Sequence, residues 1–377
     1  MRGGPDQQRP IERDSAIDAI ARALQGDLSW TREDRWNADT LAEEAERHGV
    51  DLVLWHVLHA RADGPVGLTE RLAVKVGPEA ARAAIREREL TAVSWAFEAH
   101  QVPALVVKGA ALAYTRYAKP WLRPRLDTDV LVDRSAFDRA AAALEHAGYA
   151  RSATFSTGDF VSHQVAYERT DDYGVEHTID LHWRALNPQL LAGVVEFADL
   201  WEEAEDVPVG AASIRVPTAF WSLLLACAHR LAHHQRHERL IWLYDLHLLA
   251  GVLPESRWNH LVAVARERRI AAICADGLGT AARRLGTPVP AAVLAALTYA
   301  GRSEPTRHYV DRDVSRLDVL RDDLRELPWR DRGRLLREHL FPPAAFIRSR
   351  YGTESSLLLP LLYAHRLMTG AVKWIRT

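Results

Sequence analysis

The sequence predicts an α+β protein in which a small mixed sheet lies between N-terminal and C-terminal helical regions. Three observations support this class. Apolar residues recur with helical spacing up to about residue 100, the spacing then becomes that of strands, and helical spacing returns after Pro188. We therefore divide the 377 residues into a helical region at 1–100, an α/β core at 101–216 and a helical domain at 217–377.

The composition is that of a soluble globular protein with a substantial core, because 48% of the residues are hydrophobic and 26% are charged. The formal net charge of −2 disfavours nucleic acid as the main partner. No apolar run reaches the roughly 18 residues of a membrane span, and no signal peptide opens the chain. Cys227 and Cys274 lack metal-type spacing. We expect a cytoplasmic protein with reduced, buried thiols.

The N-terminal region contains three apolar stripes with helical spacing. The first covers residues 15–28, the second is "TLAEEAERHGVDLVLWHVLHARA" and the third is "PEAARAAIRERELTAVSWAFEAHQ". Glycine and proline residues at 64–67 and 77–78 separate them. Each stripe predicts helix.

The core begins where the spacing changes. "VPALVVKG" predicts a buried strand that ends in glycine, "AALAYTRYA" a helix, and "RLDTDVLVD" a second strand. A further helix follows, with Ser135 as its expected N-cap and Gly148 just past its end. "FVSHQVAYER" and "GVEHTIDLHW" then predict a hairpin across the turn-rich "TDDYG".

The C-terminal region is predicted to be mostly helical from Pro188 onward. Its clearest helices are "TAFWSLLLACAHRLAHH" and "RLIWLYDLHLLAGVL". Further helices rich in alanine and leucine extend to Leu285, and an arginine-rich stretch covers 303–337. Residues 355–375 predict a last, amphipathic helix.

Three carboxylates on two predicted strands indicate a metal site. Asp127 and Asp129 point to one face of their strand, because residues two apart share a face. Asp180 lies inside a later strand, and His182 shares its face. If the strands are adjacent, the carboxylates converge and repel one another unless a cation neutralises them. Mg²⁺ or Mn²⁺ would supply that charge, as in the two-metal sites that displace groups at phosphorus.

The turn before the second strand is suited to phosphate. Gly109 lets the backbone approach a phosphate closely, and the helix that follows directs its N-terminal N–H groups at an anion. Lys108, Arg123 and Arg125 bring cationic charge toward the same strand end. An Asp-x-Asp alone is common in turns and solvated edge strands. Its position between the glycine turn and a third aspartate favours the metal site.

This order of strand, glycine turn, helix, Asp-x-Asp strand and later aspartate resembles the nucleotidyltransferases of the polymerase-β superfamily. More narrowly, "LVVKGAALAYTRYAKPWLRPRLDTDVLV", "IDLHW" and "LFPPAAFIRSRY" are similar to a little-characterised bacterial nucleotidyltransferase family, often encoded near genes for polysaccharides or peptide natural products. The similar blocks span roughly residues 85–370. The resemblance implies a polymerase-β-like nucleotidyltransferase core.

The resemblance also implies residue roles. Asp127 and Asp129 would hold the metals and the triphosphate, Asp180 would bridge a metal or act as base, and Gly109 would be the turn glycine. The superfamily usually has Gly-Ser or Gly-Gly at this turn, whereas this chain has Lys-Gly-Ala. The serine hydroxyl is therefore missing, and Lys108 is the expected substitute.

The implied activity is Mg²⁺-dependent transfer of a nucleoside monophosphate from an NTP, with ATP as the expected donor, and release of pyrophosphate. The acceptor is a hydroxyl or phosphate of an unidentified small molecule, saccharide or natural-product peptide. Two other functions stay open. One is a non-catalytic module that binds nucleotide or a partner, and the other is a toxin that nucleotidylates tRNA or protein.

Histidines near the core have two interpretations each. His182 would contact metal or nucleotide, or be a hydrogen-bonded core residue. His229 and His233 are four residues apart and share a helix face. With His182 they suggest zinc, but a third ligand at metal spacing is missing nearby. We expect them, with Asp245, to close over the core and contact base, ribose or acceptor; a polar network between helices is equally open.

Overall fold

The computed structural model describes residues 16–29, 36–61, 67–152, 159–234, 238–311 and 314–376. Over these ranges it confirms the α+β class, since a five-stranded mixed sheet and a separate two-stranded hairpin lie within a mostly helical chain. None of the helices described there has the length and apolar character needed to cross a bilayer.

The helices are α1 at 16–24, α2 Ala38–Arg47, α3 Asp51–Arg61, α4 Leu68–Ala73, α5 Val76–Ala99, α6 Lys108–Thr115, α7 Phe137–His146, α8 Gln189–Ala192, α9 Phe197–Glu202, α10 Ala219–His234, α11 Leu240–Gly251, α12 Glu255–Glu267, α13 Ala271–Leu285, α14 Ala291–Ala300, α15 His308–Asp311, α16 Arg316–Glu326, α17 Trp329–Leu340, α18 Ala344–Tyr351 and α19 Leu359–Arg376. The strands are β1 Ala104–Val106, β2 Thr128–Val132, β3 Ala150–Arg151, β4 Gln164–Thr170, β5 Glu176–His182, β6 Glu205–Val209 and β7 Ala212–Val216.

The N-terminal stripes form helices, but the second stripe breaks in two. Gly49, between α2 and α3, has φ of 69°, a left-handed conformation that glycine adopts without steric cost. α2 therefore ends, and the chain turns before α3 begins. The third stripe forms the long helix α5, as predicted.

The sheet has the order β1-β2-β5-β4-β3. β2 and β5 are parallel, and the other neighbours are antiparallel. The predicted hairpin is confirmed as β4 and β5. The predicted N-cap Ser135 is wrong, because Asp133 accepts the Ser135 N–H at 2.9 Å and a short 3-10 turn precedes α7. An aspartate competes well with serine for such caps.

The faces of β2 separate two hydrophobic clusters. Val130 and Val132 pack with α5 and α7 on one side. Leu131, on the other side, belongs to a larger core that includes residues of α1–α4 and of α10–α14. The two flanking helical regions thus share one core, and the three-part domain division stays a prediction. Asp129 lies on the Leu131 face, because side chains alternate along a strand.

The hairpin of β6 and β7 was not predicted, since the chain after Pro188 was expected to be mostly helical. Pro208 lies within β6, and proline lowers the strand signal of a sequence because it cannot donate a ladder hydrogen bond. Gly210, with φ of 56°, makes the turn. The expected last helix is present as α19.

Candidate functional site

Two carboxylates, one on β2 and one on β5, lie side by side. In the parallel register of β2 and β5, Asp129 is directly opposite Asp180. Asp129, Asp180 and His182 each offer a ligand atom, and these three atoms lie within 4.8 Å of one another. The two strands are therefore adjacent, as the metal site requires, and Asp127 is outside this group of three.

Asp129 is buried and ionised. Lys108 Nζ donates to Asp129 Oδ1 at 2.6 Å, and His182 Nε2 lies 2.8 Å from the same oxygen. Burial alone would raise the pKa of Asp129, but the Lys108 charge and the His182 hydrogen bond outweigh it and hold that pKa well below its usual range. Both side-chain contacts reach Oδ1, which leaves Oδ2 for a cation.

The pKa values of Asp180 and Asp127 are raised, in contrast to that of Asp129. Burial, together with the charges of Asp129 and Asp127, raises the pKa of Asp180 to about 6. Asp127 directly precedes β2 and is exposed to a cleft; partial burial and the Asp129 charge raise its pKa as well. Gln164 Nε2 orients Asp180 by donating to Oδ2 at 2.6 Å. Carboxylates with raised pKa values are incompletely neutralised, which is the environment that a divalent cation fits.

His182 supports Asp129 from within the sheet. It is 1% exposed, and burial together with the Lys108 charge lowers its pKa, so the imidazole is neutral. His182 Nδ1 has no hydrogen-bond partner among the described residues. A histidine that fixes a carboxylate in this way orients a metal ligand.

The turn from β1 to α6 carries Lys108 into the site. Lys108 has φ of 54°, a left-handed conformation that costs a non-glycine residue about 1–2 kcal/mol. The Val107 N–H donates to the Asp129 carbonyl at 3.0 Å and fixes this turn against β2. A Cβ on Gly109 would lie 3.4 Å from Arg123 Nη2, so the glycine leaves the backbone accessible beside a cation.

Two of the predicted nucleotide-binding residues contact each other. Arg123 Nη2 donates to Asp245 Oδ2 at 2.8 Å, and Arg123 Nε lies 3.0 Å from Oδ1. The Tyr117 hydroxyl also donates to Asp245 Oδ1, at 2.6 Å. Arg123 and Asp245 are 12% and 6% exposed. The buried network joins the loop before β2 to α11 of the C-terminal region.

These groups surround a cleft of about 830 Å³. The carboxylates Asp127, Asp129 and Asp180 form part of its wall, together with the Lys108–Gly109 turn. Further lining residues come from α5, the loop before β2, β4, α10, and α11 with its N-cap Arg239. They include Arg82, Arg86, Arg123, Arg125, Gln164, His229, Arg230, Arg239, Trp242 and Asp245. A cleft of this size with convergent polar groups is typical of a ligand site.

The structure describes only one side chain of the predicted histidine pair on α10. His229 lines the cleft, whereas the side chain of His233 lies outside the described residues. Over the described part of the chain, the group that could hold a metal contains His182 and excludes His229.

Sequence reasoning missed Gln164, Arg86 and Trp242 as cleft residues. Gln164 had a usable signal, because the predicted hairpin brings β4 alongside β5 and places Gln164 opposite His182. Arg86 and Trp242 had none. They lie on helices that reach the cleft only through tertiary packing.

Comparison with known families agrees with this geometry. A family model described as "Uncharacterised nucleotidyltransferase" matches residues 34–286, more than half of the chain and the segment that contains every cleft residue named above. No curated protein matches the chain, and no solved structure does.

Proposed function

The chain belongs to the uncharacterised nucleotidyltransferase family, and on that premise we propose that it transfers a nucleoside monophosphate from an NTP, with ATP as donor, to an acceptor oxygen. The acceptor oxygen is a hydroxyl or phosphate of a small molecule, saccharide or peptide. The observation that carries the proposal is the alignment of Asp129 with Asp180 beside the Lys108–Gly109 turn.

Asp127, Asp129 and Asp180 are the residues that would hold Mg²⁺ or Mn²⁺. The raised pKa values of Asp127 and Asp180 support this role. A nearby cation would stabilise their charged forms and lower both pKa values. His182 positions Asp129 through its 2.8 Å contact. When bound, the metal neutralises phosphate oxygens and aligns the reacting groups.

The turn residues would bind the triphosphate. Gly109 leaves the backbone N–H groups at the start of α6 open to phosphate oxygens. Lys108 exchanges its contact with Asp129 for a contact with phosphate, in place of the serine hydroxyl that the turn lacks. Arg123 is held by Asp245, so this ion pair braces the cleft wall, and His229 lies where it can contact base or acceptor.

The chemistry is an in-line displacement at the α-phosphorus. A bond forms between the acceptor oxygen and the α-phosphorus, while the bond from that phosphorus to the bridging oxygen breaks and pyrophosphate leaves. The proton of an acceptor hydroxyl passes to Asp180, the carboxylate that Gln164 orients beside Asp129. Positioning and charge neutralisation supply most of the rate enhancement.

Parallel incubations with α-labelled and γ-labelled ATP, Mg²⁺ and a metabolite extract test this function. We expect the α label in a new product and the γ label in pyrophosphate. Asp129→Asn abolishes both signals, and the matched control Asp133→Asn, at the capping aspartate after β2, retains them. The proposal is refuted if the wild-type protein binds no NTP in the presence of Mg²⁺.

A non-catalytic nucleotide-binding role is the second candidate. The specific observation in its favour is that Lys108 already neutralises Asp129 at 2.6 Å, in a turn without serine. Such a module would bind Mg²⁺ and NTP but release no pyrophosphate in the labelled assay. Nucleotidylation of tRNA or protein and a cytoplasmic location stay predictions.

A further inference from the structure

Two arginines on one wall of the cleft lack a close carboxylate partner among the described residues. Arg86, on α5, and Arg125, in the loop before β2, both line the cleft. The Arg125 guanidinium lies over the Tyr114 ring at 5.3 Å, and Nη2 is 3.4 Å from the Tyr114 hydroxyl. Arg125 Nη1 is buried and has no hydrogen-bond partner in the described ranges.

Other cations around the cleft contact carboxylates, whereas Arg239 donates to the Arg47 carbonyl at 3.1 Å. Lys108 contacts Asp129, and Arg123 contacts Asp245. Arg230, also on the wall, contacts Asp276 and Glu238.

Arg86 differs from these cations. Its contact with Glu79 is long, at 4.0 Å, and Glu79 also engages Arg82. Burial is the main cause that lowers the pKa of Arg86, and the charge of Arg125 lowers it further, as a like charge nearby does. An anion between the two guanidinium groups would relieve this repulsion.

We propose that Arg86 and Arg125 form a subsite for an anionic group, phosphate or carboxylate, of the acceptor. Guanidinium groups bind both anions through paired, charge-assisted hydrogen bonds. The assignment to the acceptor rests on the proposed function, in which the Lys108–Gly109 turn and the metal ligands serve the triphosphate. Arg86 also borders a smaller hollow with Asp127 and Thr128, at the start of the carboxylate strand.

The cleft, of about 830 Å³, extends from the Lys108–Gly109 turn to α5, which supplies Arg82 and Arg86 to its wall. The α5 wall is therefore separate from the turn that would bind the triphosphate. The acceptor class that follows is a phosphorylated or carboxylated molecule rather than a neutral one.

Calorimetry of the full-length protein tests the subsite, with inorganic phosphate as the probe. Phosphate is titrated into protein saturated with Mg²⁺ and α,β-methylene-ATP, which cannot transfer its nucleotide. We expect phosphate to bind this complex, and Arg86→Gln or Arg125→Gln to weaken its binding about tenfold or more, the size of a lost charge-assisted contact. In Arg86→Gln, whose arginine lies on α5 away from the phosphate-binding turn, affinity for the nucleotide analogue should change by less than about twofold.

Arg88→Gln is the matched control, because Arg88 lies on the same helix but its Nη1 donates to the Tyr173 hydroxyl at 2.9 Å, outside the cleft. Arg86→Lys and Arg125→Lys keep the charge and should retain an intermediate affinity. Thermal melts identify any variant that is unfolded, and the lysine variants then decide the test.

Two results would overturn the subsite while leaving the proposed function intact. In the first, phosphate competes with the nucleotide analogue for binding. In the second, phosphate does not bind to the protein that is saturated with the analogue. If the analogue itself fails to bind, the proposed function fails. Phosphate is then titrated into the nucleotide-free protein. The anion subsite exists if phosphate binds the wild-type protein and this binding is lost in Arg86→Gln.

Discussion

Replacing Lys108 with methionine separates the two roles of this residue. The ammonium lies 2.6 Å from Asp129 Oδ1 and 3.5 Å from His182 Nε2, so it occupies the edge of the candidate metal site. Methionine keeps most of the chain length and removes the charge. We expect Lys108→Met to bind a divalent metal more tightly and the Mg²⁺–nucleotide complex more weakly.

The electrostatic size of the effect follows from these distances. A divalent cation held by Asp129 and Asp180 would lie roughly 5 Å from the ammonium, and charges of +2 and +1 at that distance repel by about 7 kcal/mol at an effective dielectric constant of about 20. The lysine side chain can move away, which reduces the effect. We therefore expect a gain in metal affinity of about 10- to 100-fold, since about 1.4 kcal/mol corresponds to a factor of ten.

The metal-free variant should also be less stable. Lys108 and Asp129 are 10% and 12% exposed, and removal of one partner of a buried ion pair costs about 3–5 kcal/mol. Bound metal should restore most of this loss, because it replaces the missing positive charge. Thermal melts with and without Mn²⁺ measure the restoration.

Electron paramagnetic resonance of free Mn²⁺ gives the metal affinity without nucleotide, and calorimetry gives the affinity for Mg²⁺ with α,β-methylene-ATP. Lys119→Met, at an exposed lysine, is the control and should leave both affinities unchanged. Equal or weaker Mn²⁺ binding by folded Lys108→Met would refute the assignment of the metal to the Asp129 carboxylate.

Three further predictions concern the walls of the site and the fold. Asp245→Asn breaks the buried contact with Arg123 and should lower the free energy of unfolding by about 3–5 kcal/mol; a urea midpoint equal to that of the wild type would contradict this. Gly109→Ala should change the free energy of unfolding by no more than about 1 kcal/mol, because the new Cβ would lie 3.4 Å from the Arg123 guanidinium. The same variant should bind nucleotide more weakly in calorimetry. Unchanged binding would exclude close approach of a phosphate to this turn. Burial raises the pKa of Asp323 to about 7, so the folded state binds its proton more tightly and stability contributed by this group is lost as pH rises from about 4 to about 7. Urea unfolding at pH 5 and pH 8 should show this loss in the wild type and a smaller one in Asp323→Asn; equal losses would contradict the burial effect.

The face of the strand on which each site carboxylate lies could be predicted from the sequence, because side chains alternate between the two faces of a strand. That rule placed Asp127 and Asp129 on one face and paired Asp180 with His182. The alignment of Asp129 with Asp180 could not be predicted, because the register of parallel strands depends on packing between segments distant in sequence. Periodicity also leaves open whether the two strands are adjacent, which the metal site required and the structure shows.

The charge partners were beyond sequence reasoning. Arg123 and Asp245 were both predicted to bind nucleotide, but they are 122 positions apart and contact each other. Arg86 was assigned only to a helix stripe, and tertiary packing brings it to the cleft. Contacts of this kind depend on where helices dock, which local patterns of residues do not specify.

The most direct test of the metal-dependent nucleotide site is calorimetry of α,β-methylene-ATP with the wild-type protein and with Asp129→Asn/Asp180→Asn, each with and without Mg²⁺. The wild-type protein should bind the analogue with strong dependence on Mg²⁺, and the folded double variant should lose that dependence, because both aligned carboxylates are neutral. Binding that is equally tight without Mg²⁺, or equally Mg²⁺-dependent in the double variant, would contradict a nucleotidyltransferase centre at Asp129 and Asp180.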